Sequence, residues 1–306
     1  MSHSMKAIRY HQYGGPEVLT SETVPIPQPA EGEVLIKVHF AGVNPVDWKF
    51  RSGYLKEYAP LTLPHTPGID VSGTIEAVGT SVKNFTKGQD VVALARGGYA
   101  EFALAKVSDV ALKPKTLGFD QAASVPVGAL TAWQQVEDAK LQPGQTVVVQ
   151  GGSGGVGLFA VQFAKQKGAR VIATASTANV EFVRSLGADQ VIDYNVNPIE
   201  SAVQNVDVVL DTVGGAVLEA SYQLLKKGGL LITVAGMISQ EKAEALGIRA
   251  VSSARGPASA LAGILDALAQ GTLKNELGKV FPLLDAAQAH QLSETRHGRG
   301  RILLKV

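Results

Sequence analysis

The sequence predicts an α/β protein in which a doubly wound parallel sheet is inserted into a mostly antiparallel, barrel-like domain. First, short β-branched runs alternate with helical patterns between about 146 and 252, which is the rhythm of βαβ units. Second, the part before residue 120 contains strand-like runs separated by Gly and Pro, with little helical period. Third, the chain ends in a strand-like tail at 301–306 that can rejoin the first domain.

The parallel sheet is predicted from strand-like runs and helical patterns that follow one another along the chain. The strand-like runs are at 146–150, 170–175, 190–193, 206–210, 229–234 and 248–252. The helical patterns are at 156–167, 178–186, 215–226 and 240–246. Gly168, Gly187 and Gly228 stand where three of these helices should end, a position that glycine favours.

The antiparallel domain is predicted from β-rich runs at 33–40, 71–79, 90–95 and 99–105. A helix near 258–270 precedes the strand-like tail. We therefore expect the antiparallel domain to comprise residues 1–120 and 258–306, with the parallel-sheet domain over 121–257.

Composition excludes several classes of protein. A chain of 306 residues with 45 % hydrophobic and 18 % charged residues is typical of a globular protein with two domains. Its net charge of +1, without clustered Lys or Arg, does not favour binding to nucleic acid or acidic membranes. No apolar run approaches the roughly 20 residues of a membrane span. Because cysteine is absent, disulfides, thiol chemistry and thiolate metal sites are excluded, and the cytoplasm is the expected location.

A glycine-rich segment follows the strand-like run that ends at Gln150 and precedes a helical pattern. Gly152, Gly154 and Gly157 have the spacing G-x-G-x-x-G. We expect the first glycine to permit a tight turn, the second to let a pyrophosphate approach, and the third to allow close helix–strand contact. This context predicts a Rossmann-type dinucleotide site. Its pyrophosphate-binding residues would be Gly152, Ser153, Gly154, Gly155, Val156 and Gly157.

The same segment also fits a different chemistry. Gly151-x-Ser153-x-Gly155 matches the nucleophile elbow of an α/β-hydrolase, which likewise lies between a strand and a helix. The acid and the histidine of such a triad would come from Asp193, Asp207 or Asp211 and from His290 or His297. No HGGG-like oxyanion segment lies upstream, and Gly157 has no role in an elbow.

The residues after the second predicted strand bear on which nucleotide is bound. NAD-selective domains place an acidic residue there to bind the ribose hydroxyls. This chain has Ala175 followed by Ser176, Thr177 and Asn179, with no acid. A carboxylate about 5 Å from an added phosphate would repel it by roughly 3 kcal/mol at an effective dielectric constant of 20. NADP binding is therefore permitted, and Ser176 and Thr177 can donate hydrogen bonds to the phosphate.

Several motifs occur together in one order along the chain. They are Ala-Gly-Val-Asn-Pro-Val-Asp-Trp-Lys at 41–49, Pro-Gly-Ile-Asp-Val-Ser-Gly at 67–73, Gly-Gly-Tyr-Ala-Glu-Phe at 97–102, and the segments at 125–132, 186–194 and 211–215. With the glycine-rich turn, they resemble the zinc-independent quinone oxidoreductase branch of the medium-chain dehydrogenase/reductase superfamily. The resemblance implies a GroES-like antiparallel domain around the Rossmann domain. The block at 44–49 most resembles members that reduce enones.

The resemblance also implies a site without zinc. Zinc-dependent relatives hold the metal on a cysteine and on the histidine of a Gly-His-Glu segment. The corresponding positions here are Asn44 and Ile69, with Asp70 in place of the glutamate. An aliphatic side chain cannot bind zinc, and an amide is a poor substitute for a thiolate. We therefore expect no metal.

Members of this family suggest further contacts to NADPH. By resemblance, Tyr194 and Arg296 would bind the extra phosphate, and Thr131 would lie near the nicotinamide or the phosphates. The alternatives are a packing tyrosine, a solvated arginine and an ordinary helix threonine. Some members have a lysine in the stretch occupied here by Asn179 and Val180, so NADPH is expected without strict selectivity.

The predicted function is NADPH-dependent hydride transfer to a quinone or an α,β-unsaturated carbonyl compound. Such an acceptor is already activated by conjugation, so the protein need only orient it and bind the developing oxyanion. Asn44 and Lys49 are the candidate catalytic residues; alternatively, Asn44 is a helix N-cap and Lys49 is solvated. A second hypothesis is a nucleotide-binding redox sensor or scaffold without turnover. A homodimer formed through the strand near 248–252 stays open.

Overall fold

The computed structural model describes residues 4–306 and divides the chain into two compact units. One unit runs to Val127 and resumes at Ala258, and the other spans Gly128–Pro257. Within residues 4–306, no helix has the length and apolar character that a membrane crossing requires.

The strands and helices are numbered here in chain order. The strands are β1 (Ser4–Arg9), β2 (Thr20–Pro25), β3 (Glu33–Val43), β4 (Asp70–Val78), β5 (Asp90–Leu94), β6 (Phe102–Lys106), β7 (Val110–Leu112), β8 (Thr146–Gln150), β9 (Arg170–Ala175), β10 (Gln190–Asp193), β11 (Val206–Asp211), β12 (Leu225–Thr233), β13 (Arg249–Ser252), β14 (Leu277–Pro282) and β15 (Arg301–Lys305). The α-helices are α1 (Pro45–Arg51), α2 (Phe119–Ala123), α3 (Pro126–Ala139), α4 (Gly157–Gln166), α5 (Val180–Ser185), α6 (Ile199–Ala202), α7 (Gly215–Ser221), α8 (Gln240–Ala245), α9 (Leu261–Ala269) and α10 (Ala286–Glu294).

The unit that contains both chain ends is built on a seven-stranded sheet. Its strand order is β14-β15-β3-β4-β5-β7, and β6 also pairs with β3. All of these pairs are antiparallel except β14 with β15. β15 pairs with β3, so the last strand of the chain rejoins the first part of this unit, as predicted. Its core consists mainly of small and β-branched side chains, among them Val34, Ile36, Val71 and Ile75.

The other unit contains a parallel sheet of six strands in the order β10-β9-β8-β11-β12-β13. Numbered from β8 as the first strand, this is the order 3-2-1-4-5-6 of a Rossmann fold. Apolar residues such as Val148, Val209 and Leu231 fill its core. The strand order reverses between β8 and β11, so the segments that follow these two strands flank the topological switch point, where ligands bind in such folds.

The predicted fold class is confirmed, and most predicted elements of the parallel sheet lie within a few residues of their observed limits. The helical pattern predicted at 215–226 is wrong in its last part. Helix α7 ends at Ser221, and Leu225 already pairs with Val206 of β11. Strand pairing therefore overrides the local helical pattern there. The sequence did not reveal β1, β2, β14 or α10.

Candidate nucleotide site and candidate acceptor site

The glycine-rich turn joins β8 to α4 at the switch point of the parallel sheet. Gly151 has a φ of +73°, a conformation that glycine favours. Its amide donates to Thr174 Oγ1 at 2.9 Å, and the amide of Gly152 donates to the Thr174 carbonyl at 2.8 Å. The left-handed residue of the turn is therefore Gly151, one position before the first glycine of the motif. Gly152 is glycine because a Cβ there would lie 3.0 Å from Ala173 Cβ and Val183 Cγ1.

The other two glycines of the motif differ in what surrounds them. A Cβ on Gly157 would lie 2.1 Å from the Gly151 carbonyl oxygen, so only glycine permits this contact between helix and turn. A Cβ on Gly154 would meet nothing closer than that oxygen at 3.4 Å. Gly154 therefore borders open space, and its lack of a side chain leaves room for a bound group rather than for the protein itself.

Three amides of this turn are available to an anion. Among residues 4–306, the N–H groups of Ser153, Gly155 and Val156 have no hydrogen-bond partner. They lie just before the first turn of α4, where the helix dipole also favours negative charge. Unpaired donors beside open space at Gly154 fit a pyrophosphate group.

The carboxyl ends of β9 and β10 bring together three of the four residues predicted to contact the ribose phosphate, namely Ser176, Thr177 and Tyr194, whereas the fourth, Arg296, belongs to the other unit. The Tyr194 amide donates to the Ala175 carbonyl at 3.2 Å, which places Tyr194 beside the segment that carries Ser176 and Thr177. The Tyr194 side chain is 47 % exposed. Asn195, which the sequence analysis missed, extends Nδ2 to within 3.4 Å of Thr177 Oγ1. Thr131 lies in the first half of α3 and is buried.

The hydrolase alternative finds no support in the contacts of its residues. Ser153 Oγ makes no hydrogen bond to a histidine among residues 4–306. The carboxylates of Asp207 and Asp211 accept hydrogen bonds from residues other than histidine. Asp207 accepts the Thr146 N–H, and Asp211 accepts the Thr233 hydroxyl hydrogen. His290 is hydrogen-bonded to Tyr99. Among residues 4–306, neither His290 nor His297 is hydrogen-bonded to Asp193, Asp207 or Asp211.

The two candidate catalytic residues lie at the start of helix α1 and within it. Asn44 is its N-cap, as predicted, but the side chain that closes the first turn belongs to Asp47, whose Oδ2 accepts the Asn44 N–H at 2.8 Å. The Asn44 side chain is buried, accepting from Arg301 Nη2 at 2.7 Å and donating to Asp70 Oδ2 at 3.0 Å. One hydrogen on Nδ2 is left without a partner among residues 4–306.

Lys49 and Arg296 lie against the same indole ring. Lys49 Nζ is 5.9 Å and Arg296 Cζ is 5.8 Å from the centroid of Trp48. Within the described part of the chain, neither cationic group has a hydrogen bond or an ion pair. Burial, together with the charge of Arg296, lowers the pKa of Lys49. Positive charge that has no acidic partner among residues 4–306 attracts anionic groups.

A buried polar chain extends from Asp47 through the same unit. Tyr99 Oη donates to Asp47 Oδ2 at 3.1 Å, and His290 Nε2 lies 3.2 Å from Tyr99 Oη. Arg51 Nη1 contacts His290 Nδ1 at 3.5 Å, and Arg51 Nη2 donates to Glu294 Oε1 at 2.5 Å. The sequence analysis missed this chain. The Asn-x-x-Asp spacing at 44–47 is a capping signal that singles out Asp47, but nothing local indicates its distant partners.

Two groups in this series of buried hydrogen bonds have strongly shifted pKa values. Burial raises the pKa of Asp47 to about 7, although hydrogen bonds from Asn44 N–H and Tyr99 Oη oppose the shift. Burial, and then the charge of Arg51, lowers the pKa of His290 to about 3. His290 is therefore neutral at pH 7, whereas Asp47 is divided between its two forms.

A cavity of about 490 Å³ lies beside Asp47 within this unit. Its lining is mostly apolar and includes Phe50, Leu61 and Ile69. The lining also includes the polar side chains of Asp47, Tyr10 and His65. The volume falls within the range of small-molecule sites.

The residues at the positions of the zinc ligands do not fit a zinc ion. The Asn44 side chain is hydrogen-bonded to Arg301 and Asp70, and the Ile69 side chain has no atom that can bind a metal. The sequence contains no cysteine. Among residues 4–306, no three His, Asp or Glu side chains are grouped so as to hold a metal.

Comparisons with known proteins identify the family of this chain. Residues 30–131 match the alcohol dehydrogenase GroES-like domain, and residues 186–304 match a family described as zinc-binding dehydrogenase. The chain is 37 % identical to a quinone oxidoreductase of Sus scrofa, with 98 % of this chain and 97 % of that protein covered. It belongs to the quinone oxidoreductase branch of the medium-chain dehydrogenase/reductase superfamily.

Two further members of this superfamily are similar over nearly the whole chain. An NADPH-dependent alkenal/one oxidoreductase of Arabidopsis thaliana chloroplasts is 34 % identical, with 98 % of this chain and 79 % of that protein covered. The structure of the quinone oxidoreductase from Coxiella burnetii has a TM-score of 0.92 at 36 % identity, with 99 % of each chain covered. The predicted resemblance is thus confirmed, including the GroES-like antiparallel domain.

Proposed function

We propose that this chain is an NADPH-dependent oxidoreductase that transfers hydride to quinones or α,β-unsaturated carbonyl compounds without a metal ion. The observation that carries the proposal is that the amides of Ser153, Gly155 and Val156, beside open space at Gly154, have no hydrogen-bond partner in the described part of the chain. The Sus scrofa relative is named for quinones, and the Arabidopsis thaliana relative is named for NADPH and for alkenals and enones.

NADPH, when bound, supplies the hydride. In the parallel-sheet unit, we propose that the free amides of the turn bind its pyrophosphate, with Gly152 and Gly157 shaping the turn. Ser176 and Thr177 donate hydroxyl hydrogens to the ribose phosphate, and Tyr194 borders it. No acidic side chain among 176–179 repels that phosphate, which supports NADPH over NADH.

In the other unit, Lys49 and Arg296 supply positive charge that no acidic side chain among residues 4–306 neutralises. We propose that Lys49 and the free Nδ2 hydrogen of Asn44 stabilise the oxyanion that develops on the acceptor. Arg296 is proposed to bind the extra phosphate of NADPH, and Thr131 to contact the nicotinamide or the phosphates.

Steady-state oxidation of NADPH with a small panel of quinones and enones tests the proposal. We expect turnover with at least one acceptor, and loss of NADPH binding in Gly154→Val because the new side chain occupies the open space. Lys49→Ala should raise KM or lower kcat with NADPH affinity retained. If NADPH binds but no acceptor is reduced, the chain is a sensor or scaffold; if neither reduced nucleotide binds, the proposal fails.

We also propose that the protein is a cytoplasmic homodimer joined through β13. This strand lies at one edge of the parallel sheet, and Val251 on it is 39 % exposed. Because β13 has only four residues, the contact would be small. Light scattering should give twice the chain mass for wild type and less for Val251→Lys; a monomeric wild type contradicts the dimer.

A further inference from the structure

The peptide group that leads into the glycine-rich turn is held by side chains at both of its polar atoms. The N–H of Gly151 donates to Thr174 Oγ1 at 2.9 Å, and the carbonyl oxygen of Gln150 accepts the Thr212 hydroxyl hydrogen, with 2.7 Å between the two oxygens. Thr174 belongs to β9 and Thr212 follows β11, so the two hydroxyls come from the strands on either side of β8. Because both polar atoms lie in one peptide plane, these contacts fix the orientation of that plane.

The direction of the Thr174 hydroxyl is fixed by further buried hydrogen bonds. A backbone N–H can only donate, so Thr174 Oγ1 accepts from Gly151 and gives its one hydrogen to Gln150 Oε1 at 2.9 Å. The Gln150 side chain then presents Nε2 to Ser221 Oγ at 3.1 Å, and Ser221 donates to the Val217 carbonyl oxygen in α7 at 2.7 Å. The three polar side chains are at most 4 % exposed. Since a buried polar group that loses its partner is costly, this arrangement resists change.

The orientation of Gly151 in turn determines where the following amides lie. Gly151 begins the turn in the left-handed conformation, and its carbonyl oxygen accepts the Gly154 N–H at 3.0 Å. The three amides that have no partner among residues 4–306 lie at 153–156, directly after this fixed start and just before helix α4. A rotation of the Gln150–Gly151 peptide would therefore move these amides away from their present directions.

We propose that Thr174 and Thr212 are positioning residues, which hold the Gln150–Gly151 peptide so that the amides of the turn point toward the pyrophosphate of NADPH. Gln150 and Ser221 support them by fixing the Thr174 hydroxyl. This inference rests on the proposed function and concerns its nucleotide. Each threonine hydroxyl has one hydrogen and donates it within the protein, so both residues act through the turn and do not donate to the phosphates. Amides that already point toward an anion bind it more tightly, because no binding energy is used to order them.

Thr174→Val is the decisive variant, because valine has nearly the same shape as threonine but no hydroxyl. It leaves the Gly151 N–H and Gln150 Oε1 without this partner. We expect the Kd for NADPH, measured by fluorescence titration, to rise about tenfold, equivalent to about 1.4 kcal/mol. Thr174→Ser keeps the hydroxyl and should restore the Kd to within about twofold of wild type. Thr146→Val makes the same change at the opposite end of β8 and is the control, with the Kd expected to stay constant.

Two further measurements separate positioning from a general loss of stability. Val209→Ala removes buried methyl groups from the core of the same unit, so it should lower the thermal unfolding midpoint while the Kd for NADPH stays constant. Adenosine 2′-monophosphate contains the extra phosphate of NADPH but no pyrophosphate. Its binding, followed by ligand-observed NMR, should be equal in wild type and Thr174→Val. An equal weakening of both ligands in Thr174→Val would show a general distortion of the unit and overturn the inference.

A double variant tests whether the two threonines act through one peptide group. Thr212→Val alone should also weaken NADPH binding, because the Gln150 carbonyl oxygen loses the hydroxyl that holds it. Independent effects on the Kd would multiply, whereas residues that hold the same peptide are coupled. The double variant should therefore weaken NADPH binding by clearly less than the product of the two single effects. A Kd equal to that product would overturn the shared action.

The outcomes distinguish this inference from the proposed function. An active wild type together with a Thr174→Val variant of unchanged NADPH affinity overturns the inference alone. If Thr174→Val does not fold, unchanged NADPH affinity in Thr212→Val overturns it. A wild type that binds NADPH but reduces no acceptor overturns the proposed function, while the effect of the threonines on nucleotide binding is still measured. If wild type binds neither reduced nucleotide, both fail.

Discussion

Arg301 Nη2 lies 2.7 Å from Asp70 Oδ2, and both side chains are almost completely buried. The pair joins β15 to β4 across β3 within the seven-stranded sheet, so it helps to hold the last strand of the chain in place. Asn44 bridges the two side chains. The position of a candidate catalytic residue therefore depends on a buried ion pair.

Asp70→Asn should lower the free energy of unfolding by about 3–5 kcal/mol, because it leaves the Arg301 charge buried without its counter-ion. Urea denaturation measures the change. Glu181→Gln is the control, since Glu181 pairs with Arg184 at an exposed site and such a pair contributes less than about 1 kcal/mol. Equal losses in the two variants would contradict the importance of the buried pair.

Gly157→Ala should lower the stability of the parallel-sheet unit, whereas Gly154→Ala should lower its affinity for NADPH. At Gly157 the added Cβ would overlap the Gly151 carbonyl, so stability should fall by roughly 1–3 kcal/mol. At Gly154 the Cβ meets only ordinary contacts, so stability should stay nearly constant while NADPH affinity falls. Thermal unfolding and nucleotide titration measure the two effects. An unstable Gly154→Ala variant with normal affinity would refute the assignment of its open space.

Asp47→Asn should stabilise the protein increasingly as pH rises. The folded-state pKa of about 7 lies above that of an unfolded aspartate, so the stability contributed at low pH is lost between about pH 4 and 7. The variant avoids this loss, and its advantage should grow toward an upper bound on the order of 4 kcal/mol. Denaturation at pH 4 to 8 measures it. Exposed Asp266→Asn is the control; a constant difference from wild type would exclude the shift.

His290→Gln should have the opposite dependence. The folded-state pKa of about 3 lies below that of an unfolded histidine, so wild type loses the stability contributed by this group as pH falls from about 6.5 toward 3. The variant should lack that loss, which amounts to at most about 1.4 kcal/mol per pH unit. Acid denaturation compared with exposed His297→Gln measures the difference. An unchanged acid slope would show that His290 does not resist protonation.

Ser176→Asp should change the choice of nucleotide. An acid after β9 can bind the ribose hydroxyls of NADH, but it repels an added phosphate by roughly 3 kcal/mol. We expect NADPH affinity to fall about 100-fold, with NADH affinity constant or improved. Fluorescence titration with both nucleotides measures the ratio. Equal weakening of the two would mean that Ser176 is distant from the 2′-phosphate.

Local patterns were sufficient to predict the parallel sheet and its nucleotide turn. The alternation of β-branched runs and helical periods, with glycines at G-x-G-x-x-G spacing, depends on residues within a few positions of one another. The same rule failed at Leu225, where pairing with β11 overrode a helical pattern. It also could not tell that Gly151, and not Gly152, adopts the left-handed conformation.

The sequence by itself determined the fold class, the family, the glycine turn and the absence of thiolate ligands. Only the tertiary structure joined Asp47 to Tyr99, 52 positions away, and Tyr99 to His290, 191 positions further along. It also buried these groups, and burial shifts the pKa of Asp47 and His290 in opposite directions. Solvent exclusion depends on the whole packed unit, so no local pattern of residues encodes it.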